Sequence, residues 1–146
     1  MDEDEKWSSA AFVAISDSLS PDMIERIIGW PPTRSHKIGD PISSRSGAAL
    51  RKQHYYSIQS MSDSTEPMEK HIDEIITPLE QKLENLKRLQ GNADLCLFCG
   101  FSSGNGQGGF SLSPEMLARL SRLGLELVLD LYPPDVALDN IENSLT

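Results

Sequence analysis

The sequence predicts an α+β fold: a two-layer sandwich in which a mostly antiparallel or mixed sheet of about six strands carries three helices on one face. Three observations predict it. A helix start is written twice in nearly the same words, Leu19-Ser20-Pro21-Asp22-Met23 and Leu112-Ser113-Pro114-Glu115-Met116, and each run ends at a glycine, Gly29 and Gly124. Between the copies lies a long stretch whose apolar residues recur at spacings of three and four, the signature of a helix. Around all three stand short apolar runs bounded by Gly, Pro and Asp, which read as strands. The predicted order is βαββ, a long helix, then ββαβ.

The first strand is read over 10–15, where Phe12, Val13 and Ile15 stand together. In the helix that follows, Ser20 caps the free N–H groups, Pro21 suits the first helical position and Asp22 faces the positive end of the helix dipole. Met23, Ile24, Ile27 and Ile28 form its apolar stripe, Gly29 stops it, and Trp30-Pro31-Pro32 forbids continuation. Residues 33–38 read as a strand, Gly39-Asp40-Pro41 as a turn, and 43–52 as a polar, basic, mobile loop. The next strand is read over 54–61.

The long helix runs from 67 to 90, with Met68, Ile72, Ile75, Ile76, Leu79, Leu83, Leu86 and Leu89 on its apolar side. Pro78 removes a backbone donor inside it, which predicts either a kink near 75–77 or two abutting helices. Residues 95–101 give the clearest strand. The glycine-rich loop 103–109 leads into a sixth short strand at 110–112, the second capped helix fills 114–123, and a last strand covers 125–131. The loop lacks the Lys-Ser/Thr ending of a phosphate-binding P-loop and reads as a hairpin tip.

Composition limits the function. A chain of 146 residues with 38% hydrophobic and 24% charged content fits one ordinary globular domain. The expected boundaries are a disordered acidic tail over 1–9, one domain over 10–134 and a C-terminal tail over 135–146. A net charge of −9 repels phosphate backbones, so nucleic acid is not an expected partner. With no leader pattern and no apolar run of bilayer length, the expected location is cytoplasmic, with no membrane contact.

Pro32-Thr33-Arg34 followed by Gly39-Asp40, the long helix centred on Leu79 and Leu83, and the close from Leu112-Ser113-Pro114 through Leu123-Gly124 to Asp130-Leu131-Tyr132 occur together in this order. In that order the chain resembles a bacterial domain of unknown function, number 4279, over roughly 12–132. The resemblance implies an α/β fold in small bacterial proteins and no assigned activity. The chain departs from the family pattern in the polar loop 43–52, where a tighter connection is usual.

No catalytic signature stands out. Arg34, His36, Lys37, Gly39 and Asp40 gather four kinds of polar group within seven residues. Strand alternation places Arg34 and His36 on one face, where they can hold an anion together; the competing reading is an exposed edge strand with Asp40 capping its own turn. Asp130, near the end of the last strand, is a further candidate carboxylate. Cys96 and Cys99 sit three apart in a strand and so face opposite sides, against a disulfide or shared metal. His36, His54 and His71 lack ligand spacing, and His71 reads as a surface residue of the long helix. No metal or cofactor is expected.

Two functions remain open from the sequence. One is a protein-interaction module, immunity-like in inhibiting a basic partner, with Trp30, Tyr55 and Tyr56 as aromatic anchors beside Trp7. The other is a small ligand-binding domain or enzyme using Arg34, His36 and Asp40, with Asp130 in reserve. Homo-oligomerisation through an exposed sheet edge is a further possibility.

Overall fold

The computed structural model describes residues 6–104 and 108–132. Five strands and four helices are found among them: β1 (Lys6–Ser16), α1 (Pro21–Ile28), β2 (Arg34–His36), β3 (His54–Gln59), α2 (Met68–Glu80), α3 (Leu83–Gln90), β4 (Asp94–Ser103), α4 (Pro114–Leu123) and β5 (Glu126–Tyr132). The strands form one mixed sheet in the order β2-β3-β1-β4-β5. Every neighbouring pair is antiparallel except β4 and β5, which run parallel because α4 carries the chain back between them.

β1 is the central strand, and its sequence reflects burial on both sides. Ala10, Phe12 and Ala14 face the helices and are fully buried, while Ala11 and Val13 on the other face are also nearly closed off from water. Hence the unbroken apolar run where simple alternation would otherwise be expected. The core lies between the helices and the even-numbered face of β1, where Phe12 meets Tyr56 edge to face.

Both repeated helix starts behave as their residues dictate. The hydroxyls of Ser20 and Ser113 accept from the N–H groups of Met23 and Met116, at 3.3 and 3.1 Å. Gly29 and Gly124 close the helices at φ 69° and 68°, a conformation open to glycine at little cost.

Several expectations need correction. Among the described residues the sheet has five strands, since 110–112 is not a strand, and the helices number four, since the long helix is two abutting ones. The break falls at Gln81–Lys82 instead of before Pro78: Gln81 and Lys82 donate to the carbonyls of Pro78 and Leu79, tightening the last turn. The open face is not bare, because the segment after β2 lies over part of it. β1 starts at Lys6, so the strand reaches into the stretch read as an acidic tail; residues 1–5, 105–107 and 133–146 lie outside the described residues. No helix among the described residues is long and apolar enough to cross a membrane.

His71 is the clearest local surprise. It is fully buried, its Nδ1 2.7 Å from the Ser60 hydroxyl and its Nε2 3.0 Å from the Asp63 carbonyl. A carbonyl can only accept, so Nε2 carries the hydrogen and Nδ1 accepts from Ser60. The histidine stitches the 60–63 loop to α2.

Candidate functional site

The register of the sheet assembles the open face in rows that run across the strands. One row is His36, Tyr55, Ile15; the next is Arg34, Ser57, Val13, Cys96; the third is Gln59, Ala11, Phe98. The middle of these rows is small, with Ala11, Val13, Ser57 and Cys96 where larger side chains would fill the surface. The result is a cavity of about 630 Å³ between the sheet and the segment above it. That volume is in the range that takes a small organic molecule.

The roof is a short flap. Gly39 N–H donates to the Arg51 carbonyl at 2.9 Å, Arg51 N–H to Asp40 at 2.7 Å and Ile42 N–H to Ala49 at 2.9 Å, with a bridge between Pro41 and Leu50. Positive φ at Gly39 and Gly47 lets the chain turn at both ends of this ladder. The stretch read as an open loop is therefore a small hairpin that presents Ile42, Leu50 and Arg51 to the cavity. Ile38 N–H donates to Nδ1 of His54 at 3.2 Å and ties the flap's first arm to β3.

One corner of the cavity is polar and cationic. His36 stacks on Tyr55 with ring centroids 4.8 Å apart and planes 13° from parallel. Neither ring nitrogen of His36 has a hydrogen-bond partner among the described residues, and both are shielded from water. Burial lowers the His36 pKa and the Arg51 charge lowers it further, against a weaker upward pull from Asp40. His36 is accordingly neutral at pH 7. Burial raises the pKa of Tyr55, although the Ser57 hydrogen bond and the charges of Arg34 and Arg51 oppose the rise. Its hydroxyl therefore keeps its proton at neutral pH. The two guanidinium groups and the two hydroxyls make a corner suited to a carboxylate or similar anion.

Much of the rest of the wall is carbon, with Ser9, Lys52, Gln53, His54 and Gln59 as its other polar members. Ala11, Val13, Ile15 and Phe98 form the floor, Ile42 and Leu50 the roof, and Cys96 lies along the side. Burial raises the Cys96 thiol and the Glu126 charge raises it further; Cys99, on the core side, is pushed up to about 12. The two thiols face opposite sides of β4, as their spacing requires, and neither is poised as a nucleophile.

The sequence candidates divide. Arg34 and His36 meet in the cavity, and Tyr55 joins them. Asp40 does not line it: its carboxylate accepts the Lys37 N–H at 2.8 Å and closes the turn before the flap. Asp130 pairs with Gly100 on the same sheet face but lies outside the cavity, beside the Trp7–Tyr132 contact. Tyr56 is fully buried and gives its hydroxyl hydrogen to the Trp30 carbonyl, so it is withdrawn from any surface role, and Trp30 packs half-buried against the core. Arg51, Ser57 and the small floor residues went unread, because only the sheet register reveals that they meet. The available signal was the odd-numbered apolar positions of β1.

Fold and site together define a small α+β domain whose helix-free sheet face is hollowed into a half-roofed pocket with a cationic corner. The chain belongs to the family described as Domain of unknown function (DUF4279), whose model matches residues 5–134. No curated protein and no solved structure matches it.

Proposed function

We propose that this chain is a ligand-binding domain whose pocket takes a small organic anion. One observation carries the reading: in a chain of net charge −9, the pocket is lined by Arg34, Arg51 and Lys52, and no acidic side chain is among its described lining residues. An acidic protein that gathers positive charge in its concave surface favours anions there and repels them elsewhere. The Tyr55 and Ser57 hydroxyls supply hydrogen bonds without adding charge, and neutral His36 backs Tyr55 as a stacked wall. The reading follows the Arg34 and His36 cluster and leaves Asp40 in the turn.

The test is calorimetric titration with a panel of anions, repeated on the Arg34→Gln, Arg51→Gln double variant. Binding that weakens with salt and is lost in a folded double variant supports the proposal. Absence of binding by every anion, or undiminished binding by the double variant, overturns it.

A second reading, contact with another polypeptide or a second copy, draws on the β5 edge. Leu129 and Leu131 are 50% and 66% exposed there, beyond the reach of the helix layer. Exposed leucines on an edge strand favour pairing with another chain. Light scattering of the protein and of its Leu129→Asp, Leu131→Asp variant separates the cases: a dimer that the variant dissolves supports this reading, and a monomer throughout removes the self-association branch.

A further inference from the structure

Resting on the anion-binding reading, we infer that the pocket's ligand is an amphipathic monocarboxylate, with its head in the Arg34, Ser57, Tyr55 corner and a linear hydrocarbon body along the trough over Val13 and Ala11 towards Phe98.

The cross-strand rows give the direction. From Arg34 on β2 to Phe98 on β4 is three strand spacings of about 4.8 Å each, so the trough is about 14 Å long. Arg34 stands at its β2 end, and the charged neighbour beyond the far end of its row, Glu126 beside Cys96, is acidic. Beyond Ser57 the floor is Val13, Ala11 and Phe98, which offer dispersion contact, flanked by the uncharged Ser9 and Gln59, whose side chains hydrogen-bond each other at 3.2 Å. A ligand charged at both ends, or highly charged throughout, would leave ionic groups against carbon.

The roof agrees with the floor. Ile42 and Leu50 are 50% and 56% exposed although both line the cavity. An apolar body lying in the trough would cover the part of those surfaces that faces the cavity, and burial of that kind is favourable in proportion to area.

Phosphate-rich ligands fit less well. The lining residues come from strands and from the flap segment, and no helix N-terminus contributes. Nor do the described glycines of the glycine-rich loop, Gly104, Gly108 and Gly109, line the pocket. Backbone N–H groups at such places are the usual cradle for phosphate. Here anion recognition falls to guanidinium and hydroxyl groups in one corner, which suits a single carboxylate.

The experiment is a chain-length series. Butanoate, hexanoate, octanoate and decanoate, methyl octanoate and inorganic phosphate are titrated into the full chain at fixed salt. We expect affinity to rise by about fourfold per methylene, the factor for burying one CH₂, until the trough is filled. Methyl octanoate should bind at least tenfold more weakly than octanoate, and Arg34→Gln should erase that difference. Ala11→Leu, which fills the trough, should flatten the chain-length dependence while leaving short acids bound; if that variant does not fold, Cys96→Leu fills the neighbouring position. Phosphate binding with no gain along the series overturns the amphiphile assignment and leaves the anion reading standing. No binding by any carboxylate or by phosphate overturns both. A chain-length gain that Ala11→Leu or Cys96→Leu leaves untouched places the hydrocarbon elsewhere and also overturns the assignment.

Discussion

His36 lies flat against Tyr55, with ring centroids 4.8 Å apart and planes 13° from parallel, at the end of the pocket where Arg34 and Arg51 stand. The stack turns an edge histidine of a three-residue strand into a fixed wall. Because burial and Arg51 hold its pKa below the ordinary 6.5, the fold favours the neutral ring. The unfolded chain therefore takes up a proton that the folded chain resists. Stability from this group is complete above about pH 6.5 and is lost as the pH falls below that value. Replacing His36 with Gln should flatten the stability profile between pH 7 and pH 5.5, measured by urea unfolding. In Tyr55→Leu the loss of stacking should cost about 1 kcal/mol, and the His36 resonance should titrate closer to 6.5 as its ring is rehydrated.

Gly100 is fixed by an aromatic ring. A Cβ at this position would sit 2.8 Å from Cζ3 of Trp7, whose ring packs across the strand and meets Tyr132 edge to face. Gly100→Ala should cost about 1–3 kcal/mol through overpacking. A double variant with Trp7→Leu should recover part of that loss, and a double-mutant cycle in denaturant measures the coupling.

Removing the buried histidine should be more costly than its surface-like helix position suggests. His71→Phe leaves the Ser60 hydroxyl and the Asp63 carbonyl without their present partner. The expected loss is about 2–4 kcal/mol. Hydrogen exchange should show the 60–65 segment opening first, and unchanged exchange there would refute the stitching role.

The two capping serines are expected to act independently. Ser20→Ala and Ser113→Ala should each cost about 1 kcal/mol and add in the double variant, since the helices they open are separate elements. Ser113 should be somewhat the more sensitive site, because its side chain also hydrogen-bonds the Glu69 carboxylate of α2, a contact that alanine loses while the backbone N–H bond to Glu69 at 2.6 Å stays. Chemical denaturation of the three variants checks both statements.

Arg119 binds α4 to α2. Its guanidinium donates to Glu80 at 2.6 and 3.1 Å, to Asp73 at 2.7 Å and to Thr77 at 3.1 Å. The hydrogen bond from Arg119 holds the Glu80 pKa below the ordinary carboxylate value. A depressed carboxylate contributes stability above about pH 4.5 and loses it as the pH falls through its folded pKa. Arg119→Met should cost about 1–2 kcal/mol at pH 7 and little at pH 3, read from the two denaturation curves.

Much of the architecture was legible because it is written in local chemistry. Ser-Pro-acid starts, glycine stops and the three-and-four periodicity located α1, α2, α3 and α4, and two abutting helices, parted at Gln81–Lys82, were one of the two forms foreseen for the stretch that holds Pro78. The missed details have local causes too. Residues 110–112 looked like a strand but find no partner strand, and the flap looked like an open loop because its ladder pairs residues such as Pro41 and Leu50 across a polar turn. At the site, alternation alone put Arg34 and His36 on one face. It could not separate Asp40, spent on its turn, from a ligand-binding carboxylate, nor tell Tyr55 in the pocket from Tyr56 in the core.

What the sequence determined by itself is the four helices, the positions of five of the six strands it predicted and the alternation of side chains along each, since caps, breakers and periodicity act within a few residues. What only the tertiary structure decided is which strands are neighbours and in what register. That register brings Arg34, Ser57, Val13 and Cys96 into one row, puts Arg51 of the flap above them, and leaves a hollow where small side chains line up. Such rows join residues more than sixty positions apart, and pairing at that distance is selected by the burial of the whole core instead of by any short stretch of chain.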